Sequence, residues 1–179
     1  AGISEAKTRR LRQLLEEGAT RCAGSLAKMS RVEWTLEEFS VGETSRERVE
    51  ALLSAYGPDA CRNFFTMRGG AFLVAFPRRS GMLLANRFST GFAETIDGVL
   101  KPGPTLAEIS NILVNAFITS LAKDLGDIVV SPPKAEGTAA GELAALSVLC
   151  LTRLRAKALS CELAVAILLE PSVAARLAG

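Results

Sequence analysis

The chain has 179 residues, 49% hydrophobic and 22% charged, which is enough for one globular domain with a core of its own. The net charge is only +2 and the basic residues are scattered, so the composition argues against nucleic acid as a partner. There is no histidine, which removes the commonest general base and the commonest metal ligand, and we expect neither a metal site nor a cofactor.

The first half of the chain predicts a long helix, a strand, a shorter helix and a hairpin, in that order. Residues 4–29 repeat apolar side chains at steps of three and four, as an amphipathic helix does. "VEWTLEEF" alternates like a half-buried strand, and the following helix is capped by Thr44 or Ser45. "RNFFTMRGGAFLVAFP" predicts two strands about the turn Gly69-Gly70, and "SGMLLA" predicts a short helix.

The second half predicts a similar series. Residues 105–125 form a second amphipathic helix, which Gly126 ends. Thr105 is placed to cap this helix, with Glu108 three residues later as its capping-box partner. "KAEGTAAGE" is typical of a loop, "LSVLCLTRLRAKALSCELAVAILL" of a second hairpin, and the last residues of a short helix.

The two halves match at an offset of 92 residues, under which Glu16 falls on Glu108. We therefore predict one α+β domain, residues 1–179, with a pseudo-two-fold internal repeat of halves about 1–90 and 93–179. Helices cover one face of a mostly antiparallel sheet of about six strands, and the two long helices lie together over a shared core.

The four cysteines show no C-x-x-C spacing and lie among apolar residues, where a free thiol behaves as a small hydrophobe. Packing roles and a reduced, cytoplasmic setting are expected for them. No apolar run reaches the length of a membrane span, so we expect no insertion into a membrane.

The second long helix carries an unusual polar stripe. Glu108, Asn111 and Asn115 are three and four residues apart and share one face, although asparagine is a poor helix former. One interpretation is an ordinary solvated face. The other is a functional site, because an amide can orient a water molecule and a nearby carboxylate can bind a cationic partner group.

"EISNILVNAFITSLAKDLG", followed by "IVVSPP", resembles the signature helix and strand of the CheC/CheX/FliY family of chemotaxis phosphatases. The resemblance implies hydrolysis of the aspartyl phosphate of a CheY-like response regulator. Asn111 would hold the attacking water, Glu108 would contact the receiver's lysine, and Mg²⁺ would be held by the receiver. The family's downstream proline is present as Pro132 or Pro133.

Some positions depart from the family's pattern. In the first half Glu16 is retained, but Ala19 occupies the asparagine position, so this second site is predicted to be degenerate. Pro104 stands where the family often has Asp or Ser, which leaves Thr105 as a candidate substitute and Asn115 as a supporting amide.

The FliM middle domain shares the family's fold but serves as a motor scaffold. A non-enzymatic scaffold or adaptor of the chemotaxis or flagellar switch apparatus is therefore the alternative function. The resemblance names CheD and flagellar switch proteins as further partners beside the phosphorylated receiver.

Overall fold

The computed structural model describes residues 5–92, 95–96, 99–134, 142–143 and 145–179. The α-helices with described bounds are α1 (Glu5–Ser30), α2 (Arg46–Ser54), α3 (Arg78–Phe92), α4 (Pro102–Leu125) and α5 (Pro171–Leu177), and Lys157–Leu159 form a 3-10 helix. The strands are β1 (Thr35–Glu43), β2 (Cys61–Met67), β3 (Gly70–Phe76), β4 (Thr95–Ile96), β5 (Val99–Leu100), β6 (Val148–Ala156) and β7 (Cys161–Leu169).

Five of these strands form one antiparallel sheet in the order β1-β6-β7-β3-β2, while β4 and β5 form a separate ribbon. The α+β prediction is confirmed, but the described sheet has five strands where about six were predicted. Residues 130–134 run along the outer edge of β2 and pair with it through two isolated bridges, without a continuous ladder. Pro132 and Pro133 explain this, because proline has no N–H to donate to a ladder.

Both long helices cover the same face of the sheet, as predicted, and residues of both halves enter the core there. The two helices meet where Gly18 of α1 faces the ring of Phe117 in α4, at a point where a Cβ on Gly18 would overlap the ring. The Cys22 thiol donates a hydrogen bond to the Leu113 carbonyl at 3.3 Å and links the helices one turn further on. Trp34, Phe65, Phe72 and Phe76 are buried in this core, and Phe64 is buried on the other face of the sheet.

The other face of the sheet is covered by α2, so the prediction that helices cover one face only is wrong. Val49 and Leu52, three residues apart on α2, pack there with Leu73 and Leu168 of the central strands. The Ser45 hydroxyl accepts a hydrogen bond from the Arg48 amide and caps the helix, which decides between the two predicted caps.

The sheet order places β3 and β7, one strand from each half, side by side at the centre. Each is followed by a helix, α3 or α5. A two-fold repeat would produce this order, and superposition of the two halves stays a prediction. The predicted loop at 134–142 lies largely outside the described residues.

Among the described residues, α4 is the one helix whose length and composition would let it cross a membrane, contrary to the expectation that no apolar run is long enough. Half of its most apolar window is buried inside the protein. Its apolar side chains pack in the core with α1 and the sheet, so packing within the protein accounts for its hydropathy.

Candidate functional site

The polar stripe predicted on α4 lies at the surface. Glu108 and Asn115 are exposed and Asn111 is half-buried, whereas Ile109 and Leu113 between them are buried. Within the described residues, none of the three polar side chains has a hydrogen-bond or ion-pair partner. The stripe therefore presents two amides and a carboxylate whose bonding capacity is free for a partner.

A groove of about 380 Å³ runs beside this stripe. Its α4 wall contains Asn111 and Asn115, and its opposite wall contains Pro132 and Pro133. The structure therefore brings both amides together with both candidate prolines. Glu108 does not line the groove and stands on the open surface one turn before Asn111.

The proline wall is held in place by β2. The Thr66 amide donates to the Ser131 hydroxyl at 2.9 Å, and the Ser131 amide donates to the Thr66 carbonyl at 2.9 Å. Phe64 and Lys134 exchange two backbone hydrogen bonds of 2.8 and 2.9 Å. These bonds fix residues 131–134 along the strand edge, so the groove has one helical wall and one wall anchored to the sheet.

The same strand contacts α4 through a polar pair that the sequence analysis missed. The Asn63 side-chain amide donates to the Ser110 hydroxyl at 3.1 Å, and this hydroxyl donates to the Leu106 carbonyl at 2.7 Å. Both side chains are buried. Two signals were available: Asn63 shares the inward face of a strand with Phe65, and Ser110 adjoins the apolar stripe of α4.

The predicted capping role of Thr105 is wrong. The helix begins at Pro102 with Lys101 at the N-cap position, and no side chain caps it. Thr105 is only 1% exposed and its hydroxyl has no hydrogen-bond partner among the described residues. Prolines at 102 and 104 fit the first helical turn, where the N–H groups have no intrahelical acceptor, so the helix starts earlier than the capping box predicted. Thr105 is therefore a core residue and cannot reach a partner.

The corresponding face of α1 is different. Glu16 is exposed, but Ala19 is fully buried in the interface with the core. Ala19, which the offset of 92 residues aligns with Asn111, thus faces the core. This helix offers a carboxylate at its surface without an amide three residues later.

The cysteines do not supply a nucleophile. All four are free thiols, and burial raises the pKa of each, that of Cys150 to about 12. They stay protonated at neutral pH, so they act as packing residues. The described residues contain no group of three or more His, Cys, Asp or Glu side chains arranged to hold a metal ion.

No family model and no curated protein matches the chain. Solved structures do match along nearly its whole length. The FliM middle domain from H. pylori is 12% identical with a TM-score of 0.66, covering 97% of this chain and 99% of that one. FliY from Thermotoga maritima is 14% identical with a TM-score of 0.62, covering 99% and 96%.

CheX from Desulfovibrio desulfuricans is 11% identical with a TM-score of 0.57, covering 88% of this chain and 99% of that one. A chain of the FliG–FliM complex from H. pylori also matches, with a TM-score of 0.68 at 13% identity over 97% and 99% of the two chains. The chain has the fold of these proteins. The resemblance drawn from the α4 sequence is confirmed at the level of the fold.

Proposed function

We propose that this protein hydrolyses the aspartyl phosphate of a CheY-like receiver domain. The observation that carries the proposal is the Asn111 amide, which is half-buried at the rim of a groove and has no bonding partner among the described residues. An amide offers two donors and one acceptor and does not titrate near neutral pH, so it can orient a water molecule without being a base.

Such a group fits phosphoryl transfer, in which positioning and electrostatics supply most of the catalysis. Asn111 would enter the receiver's acidic pocket and hold the attacking water in line with the phosphorus. Glu108 is exposed one turn away and would contact the receiver's lysine. The metal ion would belong to the receiver, so this chain needs no metal ligands of its own.

The FliM likeness favours a second candidate, a scaffold of the flagellar switch. FliM occurs in a solved complex with FliG. The match to a chain of that complex covers 97% of the present protein. A scaffold would bind switch or chemotaxis proteins without hydrolysis. Either role would place the protein in the cytoplasm.

One measurement separates the two candidates. A phosphorylated CheY-like receiver is mixed with this protein in catalytic amounts, and phosphate release is followed over time. Release faster than the receiver's own decay, with many turnovers per molecule, is expected of a phosphatase. A scaffold would bind a FliG-like or receiver partner in a pull-down and leave the decay rate unchanged, and that result would reject the phosphatase.

A further inference from the structure

The contact between β2 and α4 contains one buried polar pair, Asn63 with Ser110. Asn63 is 6% exposed and Ser110 is fully buried. The neighbouring side chains on both sides of the contact, Phe65 and Leu113 among them, are apolar and buried. Ser110 directly precedes Asn111, and Asn63 lies two residues from Phe65, which lines the groove.

This pair differs physically from the apolar contacts around it. The hydrophobic effect that drives apolar contacts has no directional preference of its own. A hydrogen bond between buried groups requires a narrow range of distance and angle, and a buried amide left without its acceptor is costly. The Ser110 hydroxyl is further constrained by its own bond to the Leu106 carbonyl. The pair therefore adds a directional contact at the turn of α4 that carries Asn111.

The strand that contains Asn63 also fixes the other wall of the groove. Phe64 and Thr66, the residues that alternate with Asn63 and Phe65, bind the 131–134 segment through their backbone and that segment's Ser131 hydroxyl. One strand thus sets the positions of both walls, through a side chain on one face and backbone groups at its edge.

We infer that Asn63 is a positioning residue for Asn111: its hydrogen bond to Ser110 holds α4 at the rotation that aims the Asn111 amide into the groove. The inference rests on the dephosphorylation proposed above. Asn63 touches neither the receiver nor the phosphate, so its effect is on the rate of the chemical step and not on receiver binding.

The test replaces Asn63 by leucine, which is similar in size and leaves the Ser110 hydroxyl bonded to Leu106. Ser110→Ala is the second variant, which removes the acceptor and leaves the buried Asn63 amide unpaired. The double variant Asn63→Leu/Ser110→Ala completes the double-mutant cycle. Ser120→Ala is the matched control, because Ser120 is a buried serine of the same helix whose hydroxyl has no partner among the described residues.

For Asn63→Leu we expect kcat for phosphate release to fall about tenfold while KM for the phosphorylated receiver changes less than about twofold. The double variant should be no slower than Asn63→Leu, and Ser120→Ala should match the wild type. The ¹⁵N resonance of the Asn111 side-chain amide should shift in Asn63→Leu and stay in place in Ser120→Ala.

Two failures can be told apart. If the wild-type protein does not accelerate phosphate release, the proposed function is wrong, and the Asn111 resonance still tests the positioning. If the wild type is active while folded Asn63→Leu and Ser110→Ala keep its kcat and its Asn111 resonance, Asn63 has no positioning role.

Discussion

The two long helices are of similar length and share one core, but they differ in the side chains that they present at the surface. Both lie on one face of the sheet and pack against each other, and each carries an exposed glutamate, Glu16 on α1 and Glu108 on α4. Three residues later α1 has a fully buried Ala19, whereas α4 has a half-buried Asn111 beside a groove.

The comparison shows that a glutamate on a surface helix is not sufficient to define the site. What distinguishes α4 is the surroundings of its next turn, where a loop anchored to β2 stands opposite the amides. If water positioning is the function, the activity belongs to one helix, and changes to the two helices should have unequal effects.

The largest expected effect is that of Asn111→Ala. Removing the amide that holds the water should lower the acceleration of phosphate release by about 100-fold or more, which corresponds to about 2.7 kcal/mol of barrier. Stability should change by about 0.5 kcal/mol or less, because the side chain is half-exposed and has no partner among the described residues. Single-turnover phosphate release and thermal unfolding measure the two quantities.

Asn115→Ala is the matched comparison for this variant, since it removes the same amide from the same groove one turn later. A smaller loss than that of Asn111→Ala is expected. Equal losses would mean that the groove as a whole, and not one amide, determines the rate.

A second prediction asks whether α1 can be given the missing group. Ala19→Asn would restore the Glu-x-x-Asn spacing but would place an amide at a fully buried position. We expect a loss of about 1–3 kcal/mol in the free energy of unfolding and no gain in phosphate release. Denaturant unfolding checks the first part, and a faster rate than the wild type would show that α1 can form a site after all.

Helix α4 shows which parts of the molecule could be predicted from the sequence. The apolar periodicity of residues 105–125 predicted an amphipathic helix, and Leu113 and Phe117 on its apolar stripe are fully buried, because that pattern follows from helix geometry alone. The predicted start of α4 was wrong because the local sequence fits both a capping box at Thr105 and a first turn that begins with proline. In the structure Thr105 is buried and the helix begins at Pro102.

The site was predictable only along α4. Its polar stripe is contained in one helix, so spacing revealed it. The Asn63–Ser110 hydrogen bond joins residues 47 positions apart, and the proline wall depends on bridges from β2 to residues 130–134. Pairings of this kind come from the tertiary packing, and no local pattern in the sequence specifies them.

A third, smaller effect concerns the contact that the helices share. In Gly18→Ala the new Cβ would press against the buried Phe117 ring, 2.9 Å from its Cε1 atom. Overpacking of this kind costs about 1–3 kcal/mol, and the better helix propensity of alanine returns about 1 kcal/mol, so we expect a net loss of about 1 kcal/mol.

Gly24→Ala is the control for Gly18→Ala. Gly24 lies on the same helix, is exposed, and has open space where its Cβ would stand. It should stabilise the protein by about 0.5–1 kcal/mol. If both alanines raise the melting temperature, the close approach of α1 to α4 at Gly18 is not tight.

The smallest effects separate the two glutamates. Glu108→Ala removes one exposed charge proposed to face the receiver's lysine, and exposed ion pairs contribute up to about 1 kcal/mol, so KM should rise by about threefold to fivefold with little change in kcat. Glu16→Ala should change neither constant, because no amide follows it at the surface of α1 and the proposed receiver contact is on α4. Steady-state kinetics at low and high salt distinguish the two variants. Salt screens exposed charges, so the difference in KM between Glu108→Ala and the wild type should be smaller at high salt. A rise in KM for Glu16→Ala equal to that for Glu108→Ala would place the receiver across both helices and remove the asymmetry on which the one-site proposal depends.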